Sequence, residues 1–388
     1  MRKFEAVIDE IKHRLHFIFP QQDIAILDDL YPHPISIFRN IEFQNYLKSF
    51  KKVAIYSTGD AFGAVHEKKS LKQIIQKHDK RTKVLTHHKF FKSKLAYTLF
   101  LNITYAFLPY IERNKVPFVF TLYPGGGFYL NEDKSDNKLK TIFASRYFRK
   151  VIVTQKVTLN YLLDNKLCPP DCIEFIYGVV SAPFNKQAWG NKLFYGVDKD
   201  TFDICFIANK NMPHGYDKGY DLFIESMKLL SSKYSNINIH VVGPYTKNDY
   251  EINGMSNITF HGFIHHDQFE HFFKDKDIIV SPNRPFALQK GAFDGFPTAS
   301  CTEASLNGVA MFISDPIDLN ILYKNGVDCV LIKNDPNWIA KQIERYYKKP
   351  KELYQLALNG QNTTFNIYST ENQLIPRINI LKSEIQNT

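Results

Sequence analysis

The sequence predicts an α/β protein with two doubly wound, Rossmann-like domains that face a cleft. The first observation is that short, continuous, β-branched runs alternate with helical patterns through the second half of the chain. The second is that the same alternation returns, less regularly, in the first half. The third is the length of 388 residues, which suits two domains of roughly 150–200 residues better than one core.

The second half gives the clearest pattern. Its strands are predicted over residues 202–208, 237–243, 277–282, 309–315 and 329–332. Its helices are predicted between them, over residues 221–234, 267–275, 298–308 and 335–349. Strands and helices that alternate in this way form a parallel sheet that is wound on both sides.

The first half carries strand-like runs that are mostly separated by helical stretches. They are predicted over residues 23–27, 52–59, 117–123, 150–155 and 173–179. The most apolar window, residues 95–111, is shorter than a membrane span and contains Asn102, so it is expected to be a buried helix. The segment 181–200 contains Pro, Gly and polar residues without a clear period, which is typical of an inter-domain linker.

The chain has a formal net charge of +10, spread along its length with local blocks such as residues 87–94. This charge suits solvated faces, phosphorylated substrates, nucleic acid or an anionic membrane surface. No zinc finger, aromatic RNA-binding motif or long basic arm favours nucleic acid, so no nucleic-acid partner is expected. The basic block 87–94 and the apolar window 95–111 can together dock on a membrane surface.

Cysteine and histidine patterns give no sign of a metal site. The five cysteines form no CxxC pair, and the thirteen histidines show no HExxH or other metal-ligand spacing. An odd number of cysteines in mostly apolar runs suits a reducing compartment. The N-terminus, MRKFEAVIDEIKHRL, is charged throughout and lacks the apolar core of a signal peptide. We therefore expect a cytoplasmic protein without a structural or catalytic metal.

The stretch GAFDGFPTASCTEASLNGVAMFISD, residues 291–315, is the best candidate for a ligand site. Ligands of open α/β sheets bind beyond the carboxyl ends of the strands, and this stretch follows such a strand. Thr298, Ser300 and the unpaired N–H groups of the first helical turn suit a diphosphate. Glu303, further along the helix, can accept two hydrogen bonds from a cis-diol such as that of ribose. The alternative is that Glu303 is an ordinary helix acid.

A second loop, residues 206–223, follows the first strand of the same half and carries Lys210 and Lys218. A lysine between a strand and a helix can neutralise diphosphate oxygens as a point charge. The alternative is that both lysines are solvated surface residues.

These segments together resemble glycosyltransferase family 4, whose members have the two-domain GT-B fold. The resemblance is carried, in the family's order, by DKGYDLFIESMKLL, IHVVGPY, NITFHGFI, DIIVSP and DGFPTASCTEASLNGVAMFISD. In the first half, VPFVFTLYPGGGF and IEFIYGVVSAPF look like family segments, more weakly. The resemblance implies an acceptor-binding domain at 1–182, a nucleotide-sugar-binding domain at 183–349, and a helical segment at 350–388 that packs back on the first domain.

The resemblance implies metal-independent transfer of a hexosyl group from a nucleotide-diphosphate sugar to a glycan or lipid-linked acceptor, with retention of the anomeric configuration. The pathway would be synthesis of a surface polysaccharide or glycolipid, such as lipopolysaccharide or capsule, at the inner membrane face. The donor sugar is a substrate, and no cofactor is expected. By resemblance Lys218 neutralises the diphosphate, Glu303 holds the ribose and Asp294 touches the donor sugar. Further residues assigned to donor binding are Tyr123, Gly125, Gly126, Asn209, Lys210, Phe263, Gly295, Phe296, Pro297, Thr298, Ala299 and Ser300.

Three positions depart from the family pattern. Eight residues separate Asp294 from Glu303 where the family has seven, and the first acid is the shorter Asp. Asn209 stands where the family commonly has Arg, and Lys210 next to it can substitute. Tyr123 stands where many members have His, and a phenol donates a hydrogen bond but is no base near neutrality. These departures bear on the donor sugar more than on the reaction class.

Two features of the first half concern the cleft. The glycines at 125–127 either let the backbone approach the donor phosphates or form a plain loop. His33, Arg39 and Glu42 follow the first strand and are candidates for acceptor contact. Rival functions are a nucleotide-sugar 2-epimerase or a sugar phosphorylase on the same fold, and a non-catalytic nucleotide-sugar-binding scaffold.

Overall fold

The computed structural model describes residues 21–33, 37–58, 80–84, 91–181 and 192–388. Several sequence predictions fall outside these residues. They are the charged N-terminal stretch, residues 87–90 of the basic block with Lys89, and residues 182–191 of the linker.

The first domain is built on a parallel sheet. Within the described residues, seven strands lie in the order β3-β2-β1-β4-β5-β6-β7. They are β1 (Gln22–Asp28), β2 (Val53–Ser57), β3 (Thr82–Val84), β4 (Ser93–Leu99), β5 (Phe118–Leu122), β6 (Phe148–Val153) and β7 (Ile173–Phe175). The helices that connect them are α1 (Ile37–Ser49), α2 (Leu101–Asn114), α3 (Asp133–Phe143) and α4 (Lys156–Asp164). Alternate residues of β1 enter different cores, with Ala25 and Leu27 on one face and Ile24 and Ile26 on the other.

The apolar window 95–111 is not one buried helix, and this prediction was wrong. Residues up to Leu99 form β4, the chain turns at Phe100 with φ of +62°, and α2 starts at Leu101. A central strand that is covered on both faces is continuously apolar, so periodicity alone does not separate it from a buried helix. Tyr97 and Ile111 are fully buried. The apolar half of the expected membrane-docking block therefore lies in the core.

The second domain has a second parallel sheet, with the strand order β10-β9-β8-β11-β12-β13. Its strands are β8 (Phe202–Ile207), β9 (Ile237–Val242), β10 (Ile258–Gly262), β11 (Ile278–Ser281), β12 (Ala310–Ser314) and β13 (Val330–Ile332). Its helices are α5 (Tyr220–Ser231), α6 (Phe269–Phe273), α7 (Ala299–Leu306) and α8 (Pro336–Tyr347). The prediction of two wound α/β domains is confirmed. No helix among the described residues has both the length and the apolar character that crossing a bilayer demands.

The last two helices divide between the domains. Helix α9 (Pro350–Ile367) packs on α7, where Gln361 Nε2 donates to the Leu306 carbonyl at 2.8 Å. Helix α10 (Thr370–Gln386) packs on the first domain, and its buried Ile378 and Leu381 belong to the same core cluster as Ile24 and Ile26 of β1. Within the segment 350–388, α10 is thus the helix that packs on the first domain.

Candidate active site

Two strand-to-helix loops of the second domain meet at one edge of its sheet. One loop follows β8 and leads to α5, and the other follows β11 and leads to α7. Since β8 and β11 are parallel neighbours, their carboxyl ends lie side by side. The residues that sequence analysis selected in the two loops are therefore brought together, as expected for a ligand site of an open α/β sheet.

Lys218 and Asp294 are in direct contact across these loops. Lys218 Nζ donates to Asp294 Oδ2 at 2.6 Å, and the Asp217 carboxylate lies 3.5 Å from the same amine. Asn283 Nδ2 donates to Asp294 Oδ2 at 3.2 Å. The Lys218 side chain is 11% exposed and that of Asp294 42% exposed. The predicted diphosphate cation and the predicted sugar-binding acid thus form one charged centre at the surface of the domain.

A tight turn presents Lys218 to this centre. Residues Pro213–Lys218 form a short 3-10 segment that ends at Gly219, whose φ is +68°. A Cβ atom at Gly219 would lie 2.1 Å from the Pro282 carbonyl oxygen. Only glycine combines this backbone conformation with so close an approach, so the turn and the end of β11 are locked together.

Arg284 is a residue that sequence analysis missed. Its guanidinium donates to both Asp221 carboxylate oxygens at 2.5 and 2.8 Å and to the Tyr216 carbonyl at 2.9 Å. It also lies 4.1 Å from the Tyr216 ring centroid, and its backbone N–H donates to the Asp217 carbonyl at 2.9 Å. A bidentate and stacked arginine fixes geometry well, so Arg284 holds the Lys218 turn in place. The signal in the sequence was an arginine in the loop directly after β11.

The start of α7 offers backbone donors beside this centre. Thr298 precedes the helix in an extended conformation and makes no capping hydrogen bond with its side chain. Its hydroxyl lies 3.2 Å from that of Ser300, which donates to the Ile207 carbonyl at 3.0 Å. The first-turn N–H groups at Ala299 and Ser300 are thus left without a side-chain cap. A helix start of this kind favours an anion.

Glu303 lies on the same face of α7 as the first-turn residues Ala299 and Ser300, because residues three and four apart are neighbours on a helix. It is half-buried, whereas Thr302 and Ala304 on either side of it are buried in the core. The Glu303 carboxylate therefore lies on the side of α7 that faces away from the core.

Lys210 is engaged elsewhere in the same domain. Its amine donates to Asp249 Oδ1 at 2.7 Å, in the loop after β9. Burial raises the pKa of Asp249, but hydrogen bonds from Lys210 and Thr246 outweigh it and lower that pKa overall. The neighbouring Asn209 side chain donates to Asn211 Oδ1 at 3.2 Å. The cation that was expected to replace a family arginine is thus already paired with an acid.

The remaining donor-loop residues differ in exposure. Phe263, directly after β10, is 68% exposed. Phe296 is 3% exposed, and its backbone is held by side chains of the first domain. Pro297 is also buried, and Gly295 is half-buried, beside Gln155 and Pro124 of the first domain.

Tyr123 and Glu42 do not line the cleft. Glu42 is fully buried and accepts hydrogen bonds from Tyr123 at 3.0 Å, from Tyr46 at 2.9 Å and from Tyr97. Arg377 of α10 is fully buried beside them. Burial, reinforced by the charge of Glu42, holds the pKa of Tyr123 well above its usual value. We therefore assign Tyr123 and Glu42 to a buried polar cluster and not to the ligand surface.

Arg39 and His33 also lie inside the first domain. Arg39 is 6% exposed and donates to Asp28 at 3.0 Å and to Asp29 at 2.8 Å. Burial lowers the pKa of Arg39, but the two carboxylates raise it further, so the guanidinium stays charged. His33 is 7% exposed. Both side chains are therefore buried in the first domain, and Arg39 is already paired with two acids.

Packing explains two of the three glycines at 125–127. A Cβ atom at Gly126 would lie 2.5 Å from the Phe100 ring, and one at Gly127 would lie 2.0 Å from the Asn102 side chain. The Asn102 N–H also donates to the Gly126 carbonyl at 2.9 Å. These two glycines are required by packing against the start of α2. A Cβ atom at Gly125 meets nothing within 4 Å, so this glycine faces open space.

Comparison with known proteins supports this description of the fold. Residues 199–363 match the family model described as glycosyl transferases group 1. Anabaena HepE, crystallised with UDP and glucose, is 15% identical with a TM-score of 0.67, over 92% of this chain and 99% of that chain. Sucrose-phosphate synthase from Thermosynechococcus elongatus is 13% identical with a TM-score of 0.64, over 95% of this chain and 100% of that chain.

A more distant likeness is to a TarM mutant from S. aureus, crystallised with Fondaparinux, alpha-GlcNAc-glycerol and UDP. It is 16% identical with a TM-score of 0.53, over 81% of this chain and 57% of that chain. No curated protein matches the sequence. At these identities the solved structures show a shared fold. Residues 199–363 are therefore similar to the glycosyl transferases group 1 model, and the chain has a two-domain fold of the GT-B type.

Proposed function

We propose that the protein transfers a sugar from a nucleotide-diphosphate sugar to a glycan or lipid-linked acceptor, with retention of the anomeric configuration and without a metal ion. The observation that carries the proposal is the Lys218 amine, 2.6 Å from Asp294, beside the uncapped start of α7. A cation and a helix start can both stabilise the negative charge of a leaving diphosphate. The group 1 family match and the UDP in the HepE structure support the same ligand class.

The proposed roles are those that the resemblance implies, and the contacts of Lys218 and the start of α7 support them. Lys218 neutralises the diphosphate as the glycosidic bond breaks, and the first-turn N–H groups of α7 bind its oxygens. Glu303 accepts hydrogen bonds from the ribose hydroxyls. Asp294 accepts hydrogen bonds from hydroxyls of the donor sugar, which places the anomeric carbon towards the first domain.

The test is binding and turnover with a panel of nucleotide sugars. UDP, GDP and ADP are first compared by thermal shift, because a ligand that binds only the folded state raises its melting point. Lys218→Ala is expected to lower the transfer rate by about 100-fold, as removal of a group that stabilises developing charge does. Glu303→Ala is expected to weaken nucleotide binding by about 10- to 100-fold.

Matched controls are Lys348→Ala and Glu352→Ala, because both side chains are exposed and lie away from the two loops, Lys348 directly after α8 and Glu352 on α9. They are expected to leave both quantities unchanged. Equal transfer rates in the wild type, Lys218→Ala and Glu303→Ala would contradict the proposed site.

The products separate this proposal from its rivals. Retention predicts an α-linked product from an α-linked donor, which NMR of the anomeric proton reports. Conversion of the donor in the absence of an acceptor would instead indicate an epimerase, and a requirement for free phosphate would indicate a phosphorylase. Binding of donor without turnover in the presence of diverse acceptors would indicate a scaffold.

For the acceptor we propose a glycan or lipid-linked glycan of a surface polysaccharide such as lipopolysaccharide or capsule, reached at the inner membrane face. The net charge of +10 supports attraction to anionic lipids. Because most of the apolar side chains of residues 95–111 are buried, the proposed attraction is electrostatic. It predicts flotation with anionic liposomes at low salt that is lost at high salt. Protein that stays in solution at both salt concentrations would contradict the membrane part of the proposal.

A further inference from the structure

Two side chains of the first domain hold the backbone of the donor loop in the second. The Tyr177 hydroxyl donates to the Phe296 carbonyl at 2.6 Å. The Gln155 amide contacts both polar groups of the same residue, accepting from its N–H at 3.3 Å and donating to its carbonyl at 3.5 Å. Gln155, Tyr177 and Phe296 are 3%, 7% and 3% exposed. The two domains therefore share a buried polar contact at this loop.

Both holding residues are fixed within the first domain. Gln155 follows β6 at the start of α4, and its carbonyl accepts from the Leu159 N–H at 3.2 Å. Tyr177 lies just after β7, and its carbonyl accepts from Gln373 Nε2 of α10 at 2.6 Å. The next carbonyl, of Gly178, accepts from Arg377 at 3.2 Å. These hydrogen bonds anchor the backbone from which the Gln155 and Tyr177 side chains reach the loop.

The residue that they hold lies midway in the proposed donor site. Phe296 comes two residues after Asp294 and two before Thr298, where α7 is about to start. A Cβ atom at Gly295 would lie 3.3 Å from Gln155 Nε2 and 3.7 Å from Pro124, so the loop passes close to the first domain. A peptide group is planar, and fixing the N–H and the carbonyl of Phe296 orients the chain on either side of it.

We propose that Gln155 and Tyr177 are positioning residues through which the first domain completes the donor site of the second. This inference rests on the proposed function. It means that the orientation of Asp294 and of the first turn of α7 depends on contact between the domains. Neither residue is expected to touch the donor, and both act through the backbone of Phe296.

The chemistry of the two side chains allows a sharp test. Burial raises the pKa of Tyr177, so its phenol remains a donor at all ordinary pH values. Tyr177→Phe removes only the hydroxyl. Gln155→Glu keeps the size and still accepts from the Phe296 N–H, but it places a carboxylate against the carbonyl. Gln155→Leu removes both hydrogen bonds.

Matched controls exist in the second domain. Gln361→Leu removes a buried glutamine whose amide bonds a backbone carbonyl at the far end of α7. Tyr347→Phe removes a hydroxyl that donates to Asn236 at 2.7 Å, remote from the loop. These variants report what a lost hydrogen bond does to the fold without touching the Phe296 peptide.

The measurements are hydrogen exchange of residues 292–300 and the dissociation constant of the best-binding of UDP, GDP and ADP. We expect Tyr177→Phe, Gln155→Leu and Gln155→Glu to speed exchange in this segment and to weaken nucleotide binding by about five- to tenfold. The transfer rate at saturating donor is expected to fall as well, while the melting temperature changes no more than in the controls.

One outcome would overturn the proposal: the melting temperature of the variants falls, while hydrogen exchange of residues 292–300 and nucleotide affinity stay as in the controls. Gln155 and Tyr177 would then only stabilise the packing between the domains. A wild-type protein that binds none of the three nucleotides would contradict the proposed function. The exchange measurement needs no ligand, and unchanged exchange in all three variants would overturn the positioning role on its own.

Discussion

Lys218 and Asp294 are joined by an ion pair of 2.6 Å between loops of two adjacent strands. The amine that is proposed to meet the donor's diphosphate is thus neutralised by an acid of the same site, with Asp217 3.5 Å away. Binding of a diphosphate requires Lys218 to exchange one anionic partner for another. The pair therefore keeps the lysine in place while it competes with the nucleotide.

Asp294→Asn is expected to affect nucleotide binding and transfer in opposite directions. Loss of the competing charge frees Lys218, so a free nucleoside diphosphate should bind about threefold to tenfold more tightly. Transfer should slow because the donor sugar loses an acceptor of its hydrogen bonds. Calorimetry and initial rates measure the two effects, with the exposed Asp318→Asn as control. Weaker binding of the free nucleotide would contradict the competition.

Arg284→Lys is expected to weaken donor binding, although it keeps the charge. A lysine cannot reproduce the bidentate contact with Asp221 or the stacking on Tyr216, so the turn that carries Lys218 loosens. We expect the KM for the donor to rise about tenfold, the effect of losing roughly 1.4 kcal/mol. Steady-state kinetics measure this, and Arg345→Lys on the exposed face of α8 is the control. A KM equal to that of the wild type would show that the turn needs only the positive charge.

Gly219→Ala is expected to destabilise the fold strongly. The new Cβ atom would meet the Pro282 carbonyl at 2.1 Å in a backbone conformation that already disfavours side chains. We expect a loss of about 3 kcal/mol in the free energy of unfolding. Gly254→Ala is the control, because Gly254 also has a positive φ of +81° but nothing lies within 4 Å of its added Cβ. Its loss should stay near 1 kcal/mol. Denaturant unfolding measures both variants, since Gly219→Ala adds a steric clash to backbone strain and Gly254→Ala adds backbone strain alone. Equal losses in the free energy of unfolding would rule out the clash.

Asp203 is expected to make stability depend on acid pH. Burial raises the pKa of this carboxyl, but a hydrogen bond from His240 and the charge of Lys199 outweigh it and lower the pKa far below its usual value. In the unfolded chain the group titrates near pH 4, so its stabilising contribution is complete above that value. The contribution is lost as the pH falls from there towards the lower folded-state pKa.

Asp203→Asn should therefore reduce the melting temperature at pH 6 and by a smaller amount at pH 3. Thermal unfolding at both pH values tests this. The control is Asp164→Asn at the exposed end of α4, which should change the melting temperature by an equally small amount at both pH values. If the melting temperatures of wild type and Asp203→Asn differ by the same amount at pH 6 and pH 3, protonation of Asp203 is not linked to stability.

Much of the second domain could be predicted from the sequence because its signals are local. A buried parallel strand is a short apolar run, and a helix start needs only a few adjacent residues, so α7 and the loop before it were found within one or two positions. Lys218 and Asp294 were both assigned to the donor site, and parallel neighbouring strands bring their following loops together. The direct contact between the two side chains was not predicted.

The polar interior of the first domain could not be predicted in the same way. Glu42 lies 81 residues from its partner Tyr123, and Gln155 lies 141 residues from Phe296. No local pattern marks such a contact, so Tyr123 and Glu42 were assigned to the ligand surface although they are buried. Arg284 was missed for a related reason, because its bidentate partner Asp221 lies 63 residues earlier, in the first turn of α5.

The position of α10 constrains how the protein is made. Ile378 and Leu381 close a core whose other residues, such as Ile24 and Ile26, leave the ribosome several hundred residues earlier. Domains generally fold in order from the N-terminus during synthesis, yet the core of the first domain includes side chains of α10. Part of its apolar face stays unprotected until α10 has been synthesised, so nascent chains that stall before α10 should be especially prone to aggregate or to recruit chaperones.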